Sequence, residues 1–158
     1  MEVTQTEKGG TRSNKKSGNR KKGQGYNPNA KERKAIDTRA MQVATDYYTS
    51  QGWKVKDVSK KYGGGRDLDI SKNGDKRYVE VKGTTTKDPA SVQLTPNEVK
   101  NSMKFPNNSV LLIVGDIQWE DRKNLLCVGG KVIEIFPWTT SFEDKNLTAI
   151  KFKYEIVE

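Results

Sequence analysis

The sequence predicts a single α/β domain: a helix, a three-stranded meander, a second helix and a buried strand, followed by C-terminal strands. Three observations lead to it. Apolar residues recur at helical spacing from Ile36 to Tyr47, short alternating runs separated by Gly and Asn turns fill positions 53–82, and Val110-Leu-Leu-Ile-Val114 is unbroken and β-branched-rich. A length of 158 residues fits one ordinary domain with an extension.

The extension comes first. Residues 1–30 hold seven basic residues, two acidic ones and five glycines, with almost nothing apolar beyond Val3 and Tyr26. Such a segment cannot bury enough surface to offset its ordering entropy, so 1–30 is expected to be a disordered basic tail and 31–158 the folded domain. From Lys31 to Gln51 the positions Ile36, Ala40, Val43 and Tyr47 form one stripe, and Gly52 is a natural helix stop. Trp53–Ser59 alternates as a strand, Gly63-Gly64-Gly65 turns the chain, and Asp67–Ser71 and Arg77–Lys82 are strands joined by Asn73-Gly74. Val92 and Leu94 suggest another short strand. Thr95 and Glu98 then form a capping box with Pro96 at the first helical position, predicting a helix over 96–104. Val110–Val114 reads as a strand covered on both faces at the centre of the sheet. Gly129-Gly130, Pro137 and the alternating Ile150–Ile156 indicate further turns and strands.

Composition narrows the chemistry. There is no histidine and only one cysteine, Cys127, which excludes Cys/His zinc sites, Ser-His-Asp triads, HNH-type centres and an internal disulfide framework. Any reaction must run on carboxylates, lysines, hydroxyls or amides. No run reaches the ~18 apolar residues of a membrane span and no signal peptide is visible, so no membrane partner is expected, and the protein is expected to be intracellular, cytoplasmic if prokaryotic. The net charge of +9 points to nucleic acid, and Lys15, Lys16, Arg20, Lys21 and Lys22 in the tail are suited to sequence-blind phosphate contact.

The element order is the layout expected of a PD-(D/E)xK, restriction-endonuclease-like core. Four Glu-x-Lys triplets occur, starting at Glu32, Glu80, Glu98 and Glu143. Two lie in predicted helices and one in a polar loop, where residues two apart do not share a face; only Glu80 and Lys82 lie on a strand, projecting with Tyr78 from one side while Val79 and Val81 take the other. On the neighbouring strand Asp67 and Asp69 share a face opposite Leu68 and Ile70. Pairing across the Asn-Gly turn brings an aspartate beside Glu80 and supplies oxygen ligands for Mg²⁺, with Lys82 to orient or deprotonate water or to neutralise developing charge. Asp69 is preferred because it directly precedes Ile70; Asp67 is the runner-up. A salt-bridged, solvated sheet face is the competing account.

Five motifs occurring in order give the chain a recognisable character: Arg33-Lys-Ala-Ile-Asp-Thr-Arg-Ala-Met41, Gly52-Trp-Lys-Val-Lys-Asp-Val-Ser59, Arg66-Asp-Leu-Asp-Ile70, Tyr78-Val-Glu-Val-Lys-Gly-Thr84 and Leu94-Thr-Pro-Asn-Glu-Val99. Together they resemble the domain of unknown function at the C-terminus of the plant protein NO VEIN, a family assigned to the PD-(D/E)xK superfamily and widespread in defence-associated and helicase-linked proteins. The resemblance implies catalytic roles for Asp69, Glu80 and Lys82, with Asp69 and Glu80 as metal ligands and Asp37 at a first-helix position usually held by glutamate. The expectation is a nuclease using Mg²⁺, with Mn²⁺ able to substitute, that hydrolyses DNA phosphodiester bonds as an endonuclease or exonuclease, with a homodimer or a partner protein as candidate sources of specificity; DNA is favoured over RNA. A catalytically silent DNA-binding or recruitment module of the same fold is the alternative. Lys60, Lys61 and Arg66 around the triple glycine, and Thr84 at a strand end, are further candidate nucleic-acid contacts. Gln93 is a lesser candidate beside the water or substrate, whereas Trp53, Trp138 and Cys127 read as core.

Overall fold

The computed structural model describes residues 23–25 and 27–150. Five strands form one sheet in the order β1-β2-β3-β4-β5: Lys54–Asp57, Leu68–Lys72, Asp75–Gly83, Ser109–Asp121 and Leu126–Ile135. Every neighbouring pair is antiparallel except β3 and β4, which are parallel. Helix α2, Pro96–Lys104, lies in the crossover that this parallel pair requires. Helix α1, Ala30–Ser50, covers one face of the sheet.

Asn29 starts α1 by accepting from the backbone N–H groups of Lys31 and Glu32. Ile36, Ala40, Ala44 and Tyr48, spaced by four, are its buried stripe, with Val43 and Tyr47 partly buried beside it. They pack on Leu68, Ile70, Val79, Val81, Val110, Leu112 and Val114, the alternate residues of three strands. The small Ala40 and Ala44 let the helix approach the sheet closely. Gly83 completes that fit, because a Cβ there would lie 2.8 Å from Ala40 Cβ and 3.1 Å from the Ile36 carbonyl oxygen. Gly83→Ala is therefore expected to destabilise the domain by about 1–3 kcal/mol in urea unfolding, and adding Ala40→Gly to recover part of the loss.

Helix α2 has the predicted bounds, with Thr95 Oγ1 accepting from Glu98 N–H and the Glu98 carboxylate accepting from Thr95 N–H, as a capping box requires. Residues 109–115 of β4 are all buried, as expected of a strand covered on both faces. The centre of the sheet is β3, however, because one strand lies beyond β4 and two lie beyond β3 among the described residues.

Other expectations need correction. Residues 92–94 form no strand; the Gln93 N–H donates to Gln24 Oε1 instead of joining a ladder. Gly129 and Gly130 lie inside β5 with φ of 71° and 113°, not in a turn. The tail boundary moves back as well. Gln24 donates from its backbone to the Ser91 carbonyl and from Nε2 to the Gly83 carbonyl, and its own carbonyl accepts from Thr84, so the stretch just after Lys22 is built into the domain. The predicted contacts Lys15, Lys16, Arg20, Lys21 and Lys22, and the strand residues beyond Ile150, lie outside the described residues. Among the described residues, no helix is long and apolar enough to cross a membrane.

Candidate functional site

The sheet face turned away from α1 carries the acids. Strands β2 and β3 pair with Lys72 opposite Asp75, Asp69 opposite Tyr78 and Leu68 opposite Val79. The ladder continues through Asp67 N–H, which donates to the Val79 carbonyl at 2.9 Å, so the residue facing Glu80 is Asp67. Its Oδ2 accepts from Val81 N–H at 2.9 Å, fixing the carboxylate across the strand gap. Asp69, the preferred sequence candidate, is not gathered into this group. It lies one step along, where Arg66 Nε donates to Oδ1 at 2.6 Å.

Lys82 is the hub. Its ammonium is 2.9 Å from Glu80 Oε1 and 2.7 Å from Glu98 Oε2. Glu98 is not among the sequence candidates; the chain returns over residues 84–95 so that the first turn of α2 meets Lys82. Asp37, an exposed residue of α1, lies close enough for the charge of Lys82 to act on its carboxylate. The absence of a side chain at Gly83 is what lets α1 pass this near.

Burial and crowding set the electrostatics. Burial pushes the Glu80 carboxyl far above the usual range; Lys82 opposes this, while Asp67 and Glu98 reinforce it. Burial also raises Asp67, against its Val81 hydrogen bond and Lys82, and it raises Asp37, against Lys82 and Arg33. Burial works to lower the pKa of the Lys82 ammonium, but Glu80 and Glu98 outweigh it, and the result is a raised value. One firmly held cation therefore serves several carboxylates. Such an acidic excess in a buried place is relieved by protons or by a second cation.

The family described as Protein NO VEIN, C-terminal, matches residues 36–128, which span α1 from Ile36 to the start of β5 and contain every acid named above. The chain belongs to this family. No curated protein and no solved structure matches it.

Within this NO VEIN C-terminal domain the remaining candidates separate cleanly. Arg66 is not a free duplex contact: it is 7% exposed, its guanidinium lies 4.0 and 4.3 Å from the Tyr62 and Tyr78 ring centres, and its donors go to Asp69 and Asn101. Arg66 was expected in a flexible basic loop, but two aromatic rings and a carboxylate hold it. Thr84 is also occupied, donating to the Gln24 carbonyl and accepting from Thr86 N–H while only 3% exposed. Lys60 and Lys61 are exposed beside the short 3₁₀ turn at Tyr62–Gly64. Trp53 is half-buried against Tyr48, and Cys127 packs at the core edge, as expected.

Whether the acids suit a divalent cation can be judged from the donor set. Among the described residues, no three acids, cysteines or histidines are grouped to hold a metal ion by themselves. Asp67 and Glu80 nonetheless face one another as hard oxygen donors, and Mg²⁺ is habitually held by one or two carboxylates with water and phosphate oxygens filling the other positions. The donor set fits.

Proposed function

We propose that this domain is a Mg²⁺-dependent nuclease hydrolysing phosphodiester bonds in DNA, with a restriction-endonuclease-like core. The observation that carries the reading is the meeting of Asp67, Glu80 and Lys82 on one sheet face, closed by Glu98 from α2, with Asp37 of α1 near enough to feel the charge of Lys82. Asp67 and Glu80 would hold the cation, which supplies electrophilic assistance to the phosphate and acidity to water. Val81 N–H orients Asp67. Lys82 is kept protonated by its two glutamates and stabilises negative charge developing on a phosphoryl oxygen. Glu98 holds Lys82 in place, and Asp37 adds negative charge from the helix side. The succession of antiparallel strands, crossover helix and parallel strand supports the same reading, as does the excess of basic residues over acidic ones.

The choice between the two aspartates gives the test. With Mg²⁺, Asp67→Asn is expected to slow cleavage of labelled DNA by about 10²–10³-fold, whereas Asp69→Asn, which removes the charge of the Arg66 pair outside the acid group, should cost cleavage less than about tenfold and lose stability. Robust cleavage in EDTA, or an unimpaired Asp67→Asn variant, overturns the reading.

A second reading has a specific observation in its favour. Lys82 already sits between Glu80 and Glu98, compensating Glu80 without any metal, as a silent DNA-binding module would require. Salt-sensitive DNA binding with no heat of Mg²⁺ binding in calorimetry would select it.

A further inference from the structure

Beside the acids, on the same face of the sheet, lies a cleft of ≈ 380 Å³ whose lining includes Lys54, Lys56, Tyr62, Arg66, Lys76 and Tyr78, with Asp69 as its one carboxylate. Asp69 and Tyr78 are the next pair on this face after Asp67 and Glu80, with only the Leu68–Val79 row, which faces α1, between them, so the cleft adjoins the acids. Lys54, Lys56 and Lys76 are exposed and form no ion pair among the described residues. Four cations against one carboxylate make the lining complementary to a polyanion.

Tyr62 is the unusual member. It is 58% exposed, so the fold does not need its ring as core. It also holds a φ of 52°, a left-handed conformation that glycine adopts without cost and tyrosine rarely occupies. The loop is nevertheless pinned, because Asn97 Nδ2 donates to the Gly63 carbonyl at 2.6 Å. The guanidinium of Arg66 supports the ring at 4.0 Å and is itself immobilised by Asp69 and Asn101. A rigidly backed aromatic ring, open to solvent and rimmed by lysines, has the chemistry of a base-stacking platform.

We infer that Tyr62 stacks on an unpaired nucleobase of the polynucleotide whose backbone runs along Lys54, Lys56 and Lys76. This rests on the nucleic-acid part of the function proposed above, not on catalysis. A base inside a duplex is already covered on both faces, so the platform selects single-stranded or locally opened substrate.

Binding can be read without cleavage by fluorescence anisotropy in EDTA, with short labelled single-stranded DNA, single-stranded RNA and blunt duplex as probes. Tyr62→Ala should weaken single-strand binding by about tenfold, with little effect on duplex, and Tyr62→Phe should bind as the wild type. Tyr62→Gly removes the ring while relieving the backbone, so an equal loss there separates stacking from misfolding. Loss on DNA, RNA or both supports the platform and reports its sugar tolerance. Unchanged single-strand binding in the Ala and Gly variants, equal loss on duplex, a Phe variant as weak as Ala, or no single-strand binding by the wild type overturns it. A wild type that binds single strands through Tyr62 but never cleaves would refute the nuclease and leave this inference standing. Cleavage with no Tyr62 effect would do the reverse.

Discussion

Glu80→Gln is expected to abolish cleavage and, in the same molecule, to make the metal-free protein more stable at alkaline pH. Burial, reinforced by Asp67 and Glu98, pushes this carboxyl from 4.5 up to about 9, with Lys82 opposing. The folded state thus holds the Glu80 proton more tightly than the unfolded chain does. Its contribution to stability is complete below pH 4.5 and is lost as pH rises through about 9. Glutamine cannot ionise and escapes that loss. Thermal unfolding in EDTA should give similar midpoints for the two proteins near pH 4.5 and a variant midpoint higher by at least about 4 °C at pH 9, the shift that roughly 1 kcal/mol produces in a domain of about this size. Mg²⁺ should raise the midpoint of the wild type at pH 8 and leave that of the variant unmoved. Cleavage should fall by about 10³-fold or more, since the proposed ligand and its charge are removed together. A variant that cleaves normally, or one less stable than the wild type at pH 9, would contradict the account.

Lys82→Ala is expected to be the most destabilising change at the site. It leaves Glu80 and Glu98 facing each other with no cation between them, where the wild-type ammonium lies within 3 Å of both. Removing one partner of a buried ion pair typically costs about 3–5 kcal/mol. Proton uptake by Glu80 reduces that cost in acid, so the loss should be largest in alkaline buffer. The sign for the lysine agrees: its raised pKa means that the stability it contributes is present below 10.5 and disappears as pH climbs through the folded value. Urea unfolding of Lys82→Ala, compared with Glu80→Gln combined with Lys82→Met, distinguishes charge from packing. The double variant replaces an ionic group by a neutral one and should regain much of the loss. An equally unstable double variant would assign the effect to packing.

Much of this site is legible in the sequence, and one part was misread for an identifiable reason. Glu80 and Lys82 stand out because a strand period puts them on one face, whereas the same triplet in a helix points two ways. The bounds of α2 follow from Thr95, Pro96 and Glu98. The choice between Asp67 and Asp69 is different. An acid before an apolar residue says nothing about register, but the Asn73-Gly74 turn does: counting outward from Lys72 and Asp75 brings Asp67 to Glu80 and Asp69 to Tyr78. Glu98 is hidden because its Glu-x-Lys triplet lies in a helix, where the two residues point apart, and because the 12 residues between β3 and α2 leave the position of the helix start open. Arg66 could not be placed from composition, because its burial depends on Tyr62 and Tyr78, residues 16 apart in sequence, converging on one guanidinium.

One oxygen atom, Glu98 Oε2, accepts both the Thr95 N–H that closes the start of α2 and the Lys82 ammonium at the centre of the acids. The cap and the cluster are therefore two loads on a single bearing. Under the proposed function a phosphate that drew Lys82 toward itself would unload one side, leaving the Glu98 carboxylate less compensated at the first turn of the helix. A substitution at Thr95, an exposed residue outside every strand, acts from the other end: it removes the hydroxyl that accepts from Glu98 N–H and so loosens the turn that carries the carboxylate. The helix end and the cluster are thus tied through one atom, and under the proposed function a phosphate arriving at Lys82 would be felt at the start of α2.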